Sequence, residues 1–331
     1  LRTSVGDYTT QEFFNALIPL AMVISFVLTI LAMIGIWEKD RPEYFGIAGE
    51  KAEKVKVSQY LDLLKSNNPL QRLMVAGAGC KLALAIATNT AVLCMLYGGM
   101  MGNYDTLYLP MMVLGYVFSV PFFILTVRTS QKKGQKASLM RYVSVALIMY
   151  IGVLVLLLLW NQDNPAFNLS LFSNEGGFHL TINLYTVLFI LFFGIGYGAY
   201  YATADMPIPM VADCSDYETY RSGNYVPGII GTLFSLVDKL VSSLSSTVVG
   251  LAAAAIGFTA KLPGGDDPFV PNENWVVILL FCVIPMLAWA ATLIAMKGYD
   301  LTGDRMKEIQ AVNTCRKDAI ADGMSKEEAM A

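Results

Sequence analysis

Charge is scarce in this sequence. Asp, Glu, Lys and Arg make up 15% of its 331 residues, against roughly 25% in an average soluble domain. Lys plus Arg is 23 and Asp plus Glu is 26, a net charge of -3. The basic field that a nucleic-acid binder needs is therefore absent. Histidine occurs once, at His179, which reads as an exposed polar loop residue, and a histidine-based zinc site is excluded. The five cysteines have no regular spacing. Cys80, Cys94 and Cys282 fall inside apolar runs, where a thiol packs as a small hydrophobe. Cys214 and Cys315 lie between and beyond the runs, in segments that the charge pattern puts in the cytosol, where thiols stay reduced. Low charge together with 17 Phe, 17 Tyr and 17 Met excludes a disordered chain.

Apolar length is what the sequence has in abundance. Hydrophobic residues make up 55% of it, and seven segments are long enough to cross a bilayer: 13–37, 71–100, 107–127, 142–160, 181–204, 227–257 and 274–296. The runs are continuous and do not alternate, which argues for helices and against a β-barrel. The predicted fold class is an all-α integral membrane protein with seven transmembrane helices. The connections 38–70, 128–141 and 205–226 and the tail from Lys297 hold eighteen Lys and Arg, and the opposite side holds two, Arg2 and Lys261. By the positive-inside rule the C-terminus is cytoplasmic and the N-terminus is outside. No signal peptide precedes the first span, and the chain begins at Leu1. An odd number of spans is expected of a fragment if the parent fold has paired halves.

The 33 residues from Glu38 to Leu70 exceed any tight turn. Val57, Tyr60, Leu61 and Leu64 recur there at helical spacing, with Lys54, Lys56, Asp62 and Lys65 between them, which predicts an amphipathic helix along the cytoplasmic face. Asn67-Asn68-Pro69 ends it. The expected domains are a first helix (1–37), this linker (38–70), a six-helix bundle (71–297) and a polar tail (298–331).

A charge within a span is a functional candidate. Lys239 lies about 18 Å into the sixth span, near the bilayer middle. Thr232, Ser235, Lys239, Ser242, Ser243 and Ser246 follow one another at three- and four-residue steps, flanked by Gly228, Gly231 and Gly250. Small residues suit helix packing, which leaves the lysine unexplained. Asp238 points about 100° away from it and is not its expected partner. Lys81, with Thr88 and Asn89 near its face, either lines a cavity or snorkels to water. Tyr197, Tyr201 and Asp205 recur at four-residue spacing, behind Gly194, Gly196 and Gly198. Rings with an acidic neighbour suit a sugar, whose apolar face stacks while its hydroxyls need acceptors; glycine packing and an interfacial tyrosine belt account for the same residues. Pro207 and Pro209 end or kink this span. The stretch from Asp213 to Gly223 reads by composition as a solvated acidic loop.

The stretch Met210-Val-Ala-Asp213-Cys-Ser-Asp216-Tyr217, followed by Phe234-Ser235-Leu-Val-Asp-Lys239, resembles the tenth and eleventh spans of the glycoside–pentoside–hexuronide:cation symporters of the major facilitator superfamily. The family carries an Ala-Asp-x-x-Asp-Tyr motif and a lysine in the next span. The ending Tyr299-Asp-Leu-Thr-Gly-Asp304, with Ile309-Gln310, is similar too, and the resemblance covers nearly the whole chain. It implies twelve spans in two six-helix bundles. The seven here would be the last helix of the N-terminal bundle plus the six-helix C-terminal bundle, and the rest of the N-terminal bundle would be missing.

The resemblance also implies symport of a small-molecule sugar with Na⁺, H⁺ or Li⁺ across the cell membrane, by a multi-pass protein that is not an enzyme and needs no other cofactor. The cation carboxylates would lie in the N-terminal bundle. Lys239 would take part in coupling, and Asp213, Asp216 and Tyr217, near Asp205, would form a cytoplasmic gate. A tryptophan that faces the sugar in the family's best-known member is replaced by Ala204, and an arginine by Tyr225. The alternatives are a non-transporting seven-span fragment or scaffold and, further off, a seven-span receptor.

Overall fold

The computed structural model describes residues 11–38, 57–173 and 179–330. Among these residues, seven helices are long and apolar enough to cross a membrane. They fall within two units. The smaller contains α1 (Gln11–Ile36), residues 223–225 and the chain from Cys315. Apart from Thr29 and Ser25, which join through a hydroxyl-to-carbonyl hydrogen bond of 2.8 Å, α1 is almost wholly apolar between Ala16 and Ile36, and its large side chains are exposed. In the same unit Met330 of α13 (Lys326–Met330) packs on Gly223, whose φ of +71° suits glycine.

The larger unit runs from α2 (Val57–Ser66) to Thr314 and holds the other six apolar helices. The predicted amphipathic helix is present as α2, with its inward face shifted. Leu63 is buried and Leu61 exposed, because Leu63 lies one turn before the buried Asn67. The rest of the linker's basic run, Lys39 to Lys56, lies outside the described residues. Asn67 caps α3 (Asn68–Ala87) by accepting the Leu70 N–H at 3.0 Å.

The second apolar run is broken, contrary to its reading as one continuous span. Asn89 accepts the Ala91 N–H at 3.0 Å and starts α4 (Thr90–Leu93), which continues as a π-helical stretch, Cys94–Met100. A side-chain cap competes with the backbone ladder, and hydropathy does not register it. α5 (Tyr104–Lys133) and α6 (Gln135–Leu159) are joined through Gly134, at φ +86°. A loop with a two-residue strand pair, β1 (Phe172–Ser173) against β2 (His179–Leu180), leads to α7 (Leu184–Thr203). Asn183 caps α7 and ties down the loop through the Pro165 and Asn168 carbonyls, at 2.9 and 2.8 Å.

The stretch read as a solvated acidic loop is α8 (Pro207–Ser222), a 16-residue helix. Proline is favoured at a first helical position, so Pro207 starts a helix here. Met210, Cys214 and Glu218, four residues apart, form its buried face. α9 (Pro227–Ala255) follows. The last apolar run comprises α10 (Glu273–Val277), a π-helical stretch Ile278–Val283 and α11 (Ile284–Lys297), and leads to the tail helix α12 (Gly303–Ala321).

α3 packs mainly on α11 and α9, and α7 on α5 and α6. The Thr292 hydroxyl of α11 lies 3.1 Å from the Ala76 carbonyl of α3, an interhelical hydrogen bond. Gly79 allows this approach: a Cβ there would lie 2.5 Å from the Ala288 carbonyl oxygen, which is backbone and cannot rotate away. Gly79→Ala is therefore expected to destabilise the bundle by about 1–3 kcal/mol, as overpacking does. A lowered melting temperature in detergent would show it, and an unchanged one would contradict this account of the helix contact.

Candidate functional site

Two neighbouring cavities lie along α3 and the α7–α8 segment. The larger, of about 350 Å³, is within the usual range for small-molecule sites. Tyr197 and Tyr201 occupy one wall, stacked with ring centroids 5.4 Å apart and planes 12° from parallel. Their i,i+4 spacing on α7 puts them on one helix face. Tyr116 of α5 meets both rings edge-on, at 6.0 and 5.6 Å. Gly115 makes room, since a Cβ there would come within 2.9 Å of the Tyr197 ring. Tyr97, from the π-helical stretch, and Thr88 also line this space. Tyr116 and Tyr97 are the residues that the sequence reading missed. The Gly115-Tyr116 and Tyr97-Gly98 pairs were the available signals, and neither stands out in so aromatic a chain.

The smaller cavity, about 20 Å³, is lined by Lys81, Asp205, Phe234 and Asp238 among others. Gly77 of α3 faces the Phe234 ring so closely that a Cβ would lie 2.8 Å from it, which fixes α3 against α9. Lys81 precedes Leu84 and Thr88 of the aromatic cavity by three and seven residues, on one face of α3. Asp205 follows Tyr201 by four residues. The charges thus continue the line of the aromatic cavity along both segments.

Asp238 is the unanticipated member. Its Oδ1 lies 3.5 Å from Lys81 Nζ and its Oδ2 3.8 Å from Lys239 Nζ. Asp238, which helix geometry did not make the expected partner of Lys239, still reaches it as a long contact. The two Cβ vectors diverge, but lysine has a four-carbon stem long enough to fold back. The Lys81 and Asp238 side chains are 32% and 29% exposed, and that of Lys239 is 83% exposed.

Thr232, Ser235, Ser243 and Ser246 of α9 are exposed together with Lys239. Added side chains at Gly228, Gly231 and Gly250 would meet open space, so none of the described residues packs against those glycines. Thr232 and Ser235 therefore line neither cavity. Asn89 spends its side-chain oxygen on the α4 cap.

α8 carries the acidic motif. Asp216 accepts hydrogen bonds from Gln310 Nε2 (3.3 Å, to Oδ2) and Asn313 Nδ2 (3.0 Å, to the backbone carbonyl), which bring the tail helix α12 to α8. Asp213 and Tyr217 are half-buried beside it. The buried centre of this end is Glu218, which composition did not single out. Its carboxylate accepts from Asn67 Nδ2 at 3.0 Å and from Arg221 Nη2 at 2.8 Å, and Arg221 also donates to Ser66 Oγ at 2.7 Å. The α2–α3 junction is thereby joined to α8. Tyr299 is fully buried against Cys214, and burial pushes its hydroxyl far above the usual tyrosine range. At loop 258–272, Asp267 accepts from Lys261 (2.6 Å) and from the Gly264 N–H (2.8 Å), which hold its carboxyl below its ordinary value.

The chain is similar over short stretches to several known proteins. The Putative glycoside/cation symporter YagG of Escherichia coli is 30% identical over 101 residues, 30% of this chain and 21% of that protein. The Uncharacterized symporter sll1374 of Synechocystis sp. is 28% identical over 120 residues, 36% of this chain and 21% of that protein. The Uncharacterized 29.9 kDa protein in crtE 3'region of Pseudescherichia vulneris is 30% identical over 124 residues, 38% of this chain and 43% of that protein. The chain thus spans less than half the length of each of these relatives. A broader match covers residues 5–303 and takes in all seven apolar helices and both cavities. It is to the family described as MFS/sugar transport protein, and the chain belongs to that family.

Proposed function

We propose that this chain forms the C-terminal, substrate-facing part of a cation-coupled sugar symporter of the cell membrane, with its tail in the cytoplasm. The observation that carries the reading is the aromatic cavity with the Lys81, Asp205, Asp238 and Lys239 charges beside it. Stacked tyrosines offer flat apolar surface and hydroxyl groups, which together match the two faces of a sugar ring. The glycoside and cation in the name of the Escherichia coli relative point the same way. The exposed Ser, Thr and Lys face of α9 is unsuited to lipid tails. A second bundle and the water-filled path between the two bundles would cover it.

Transport would proceed by alternating access, with two bundles rocking about a midplane site. The cation is a co-substrate here. Its binding to carboxylates of the N-terminal bundle would release their hold on Lys239 and favour the sugar-binding state. Coupling requires only that both ligands prefer the same state. Asp213, Asp216 and Tyr217 would act at the cytoplasmic end, where α12 docks on α8, and Asp205, just before α8, would join that gate to the small cavity.

The test is uptake by the complete gene product in proteoliposomes. Radiolabelled methyl galactoside, xylose and glucuronate are each offered under inward Na⁺, Li⁺ and H⁺ gradients. Uptake of at least one that collapses with its cation gradient is expected. Equal uptake with and without every gradient would overturn symport.

A further inference from the structure

Asp238 belongs neither to the polar stripe of α9 nor to the acidic motif of α8, yet it links the two lysines of the site. One carboxylate faces two ammonium groups, at 3.5 and 3.8 Å. It can balance one positive charge and not two. The less exposed lysine has the greater need, because an ammonium away from water is costly unless paired. Within this chain that lysine is Lys81, at 32% exposure against 83% for Lys239, whose face would meet the second bundle and its carboxylates. Lys81 is also the shorter contact, and it comes from another helix, so the pair joins α3 to α9 across the small cavity. Asp205 is the other acid on that cavity wall.

We propose that Asp238 is a positioning residue for coupling, which takes Lys81 as its principal partner and so leaves Lys239 free to exchange partners during the transport cycle. The proposal rests on the symporter reading above. Lys81 acts here as a competitor. While it occupies Asp238, the Lys239 ammonium is available to a carboxylate elsewhere. Without Lys81, the whole carboxylate falls to Lys239, which it already reaches. An ammonium held by its own helix neighbour no longer responds to cation binding.

The experiment compares cation-driven accumulation with sugar counterflow in proteoliposomes. It uses the complete gene product and whichever of methyl galactoside, xylose and glucuronate the unmodified protein accumulates. Lys81→Gln is expected to reduce accumulation about tenfold more than it reduces counterflow, in line with ordinary coupling energies. Adding Asp238→Asn to Lys81→Gln is expected to return that ratio to within about threefold of the unmodified protein, because Lys239 is free again. Equal losses in both assays for Lys81→Gln would mark a merely structural ion pair and overturn the proposal. So would no loss in either assay, or a selective loss that the second substitution does not repair. Absence of cation-driven accumulation by the unmodified protein would overturn the symporter reading together with the proposal.

Discussion

Replacing Lys239 with alanine in the complete gene product is expected to abolish uphill sugar accumulation, a loss of about a hundredfold or more, near the upper range of coupling energies. The side chain is 83% exposed and makes one long contact, 3.8 Å to Asp238. Within this chain, removing it leaves no cavity in a packed core and strips no buried group of its partner. The fold of this chain's bundle should therefore be little changed, as at other exposed positions, and the protein level in the membrane checks folding and insertion of the whole. The loss would then be one of mechanism. Thr232 and Ser235, two turns and one turn nearer the start of α9, share its exposed face but carry no charge. Their alanine variants are expected to retain accumulation within about threefold, since no ion pair is lost. Accumulation ratios measured at matched protein levels decide the point, and an undiminished ratio for Lys239→Ala would remove the coupling role assigned to this lysine.

The features that could be read from the sequence are those set by composition over a long window. Burying backbone polar groups in lipid forces continuous apolar helices, so each of the seven runs holds one long apolar helix of the described residues, although the second ends early at Ala87 and the fifth continues through α8 to Ser222. What escaped was decided by single side chains. Asn89 divides the second run by capping α4, and no hydropathy sum registers one hydrogen bond. α8 escaped because its buried face includes Ser215, Glu218 and Thr219, which score as polar although their spacing is helical. Its buried Glu218 is met by Asn67, 151 residues away in sequence. The site shows the same division. Tyr197 and Tyr201 were legible because both lie on one helix, four residues apart. Tyr116 and Asp238 come into the site through the α5–α7 and α3–α9 contacts, which only the packed bundle reveals.

The aromatic cavity leads to the second large effect. Tyr197→Ala is expected to raise the half-saturating sugar concentration about tenfold to a hundredfold, or about 1.4 to 2.8 kcal/mol of binding. Tyr197 is 5% exposed and lies between Tyr116 and Tyr201, so truncation removes one face of the stack and lets its neighbours tilt. Part of the change would be structural, since the ring also fills the space opposite Gly115. Tyr197→Phe separates the contributions. It keeps the ring, the stack on Tyr201 and the fit at Gly115, and removes only the hydroxyl. If the cavity recognises a sugar through its apolar face, the phenylalanine variant should stay within about threefold of the unmodified protein, the loss of a single hydrogen bond. If the hydroxyl is the main contact, the phenylalanine and alanine variants should weaken transport alike, and recognition would lie with the polar ends of the tyrosines. Counterflow measured over a range of sugar concentrations reads binding separately from the cation gradient. A half-saturating concentration that neither substitution changes would mean that the sugar binds elsewhere, and the 350 Å³ cavity would lose its place in the mechanism.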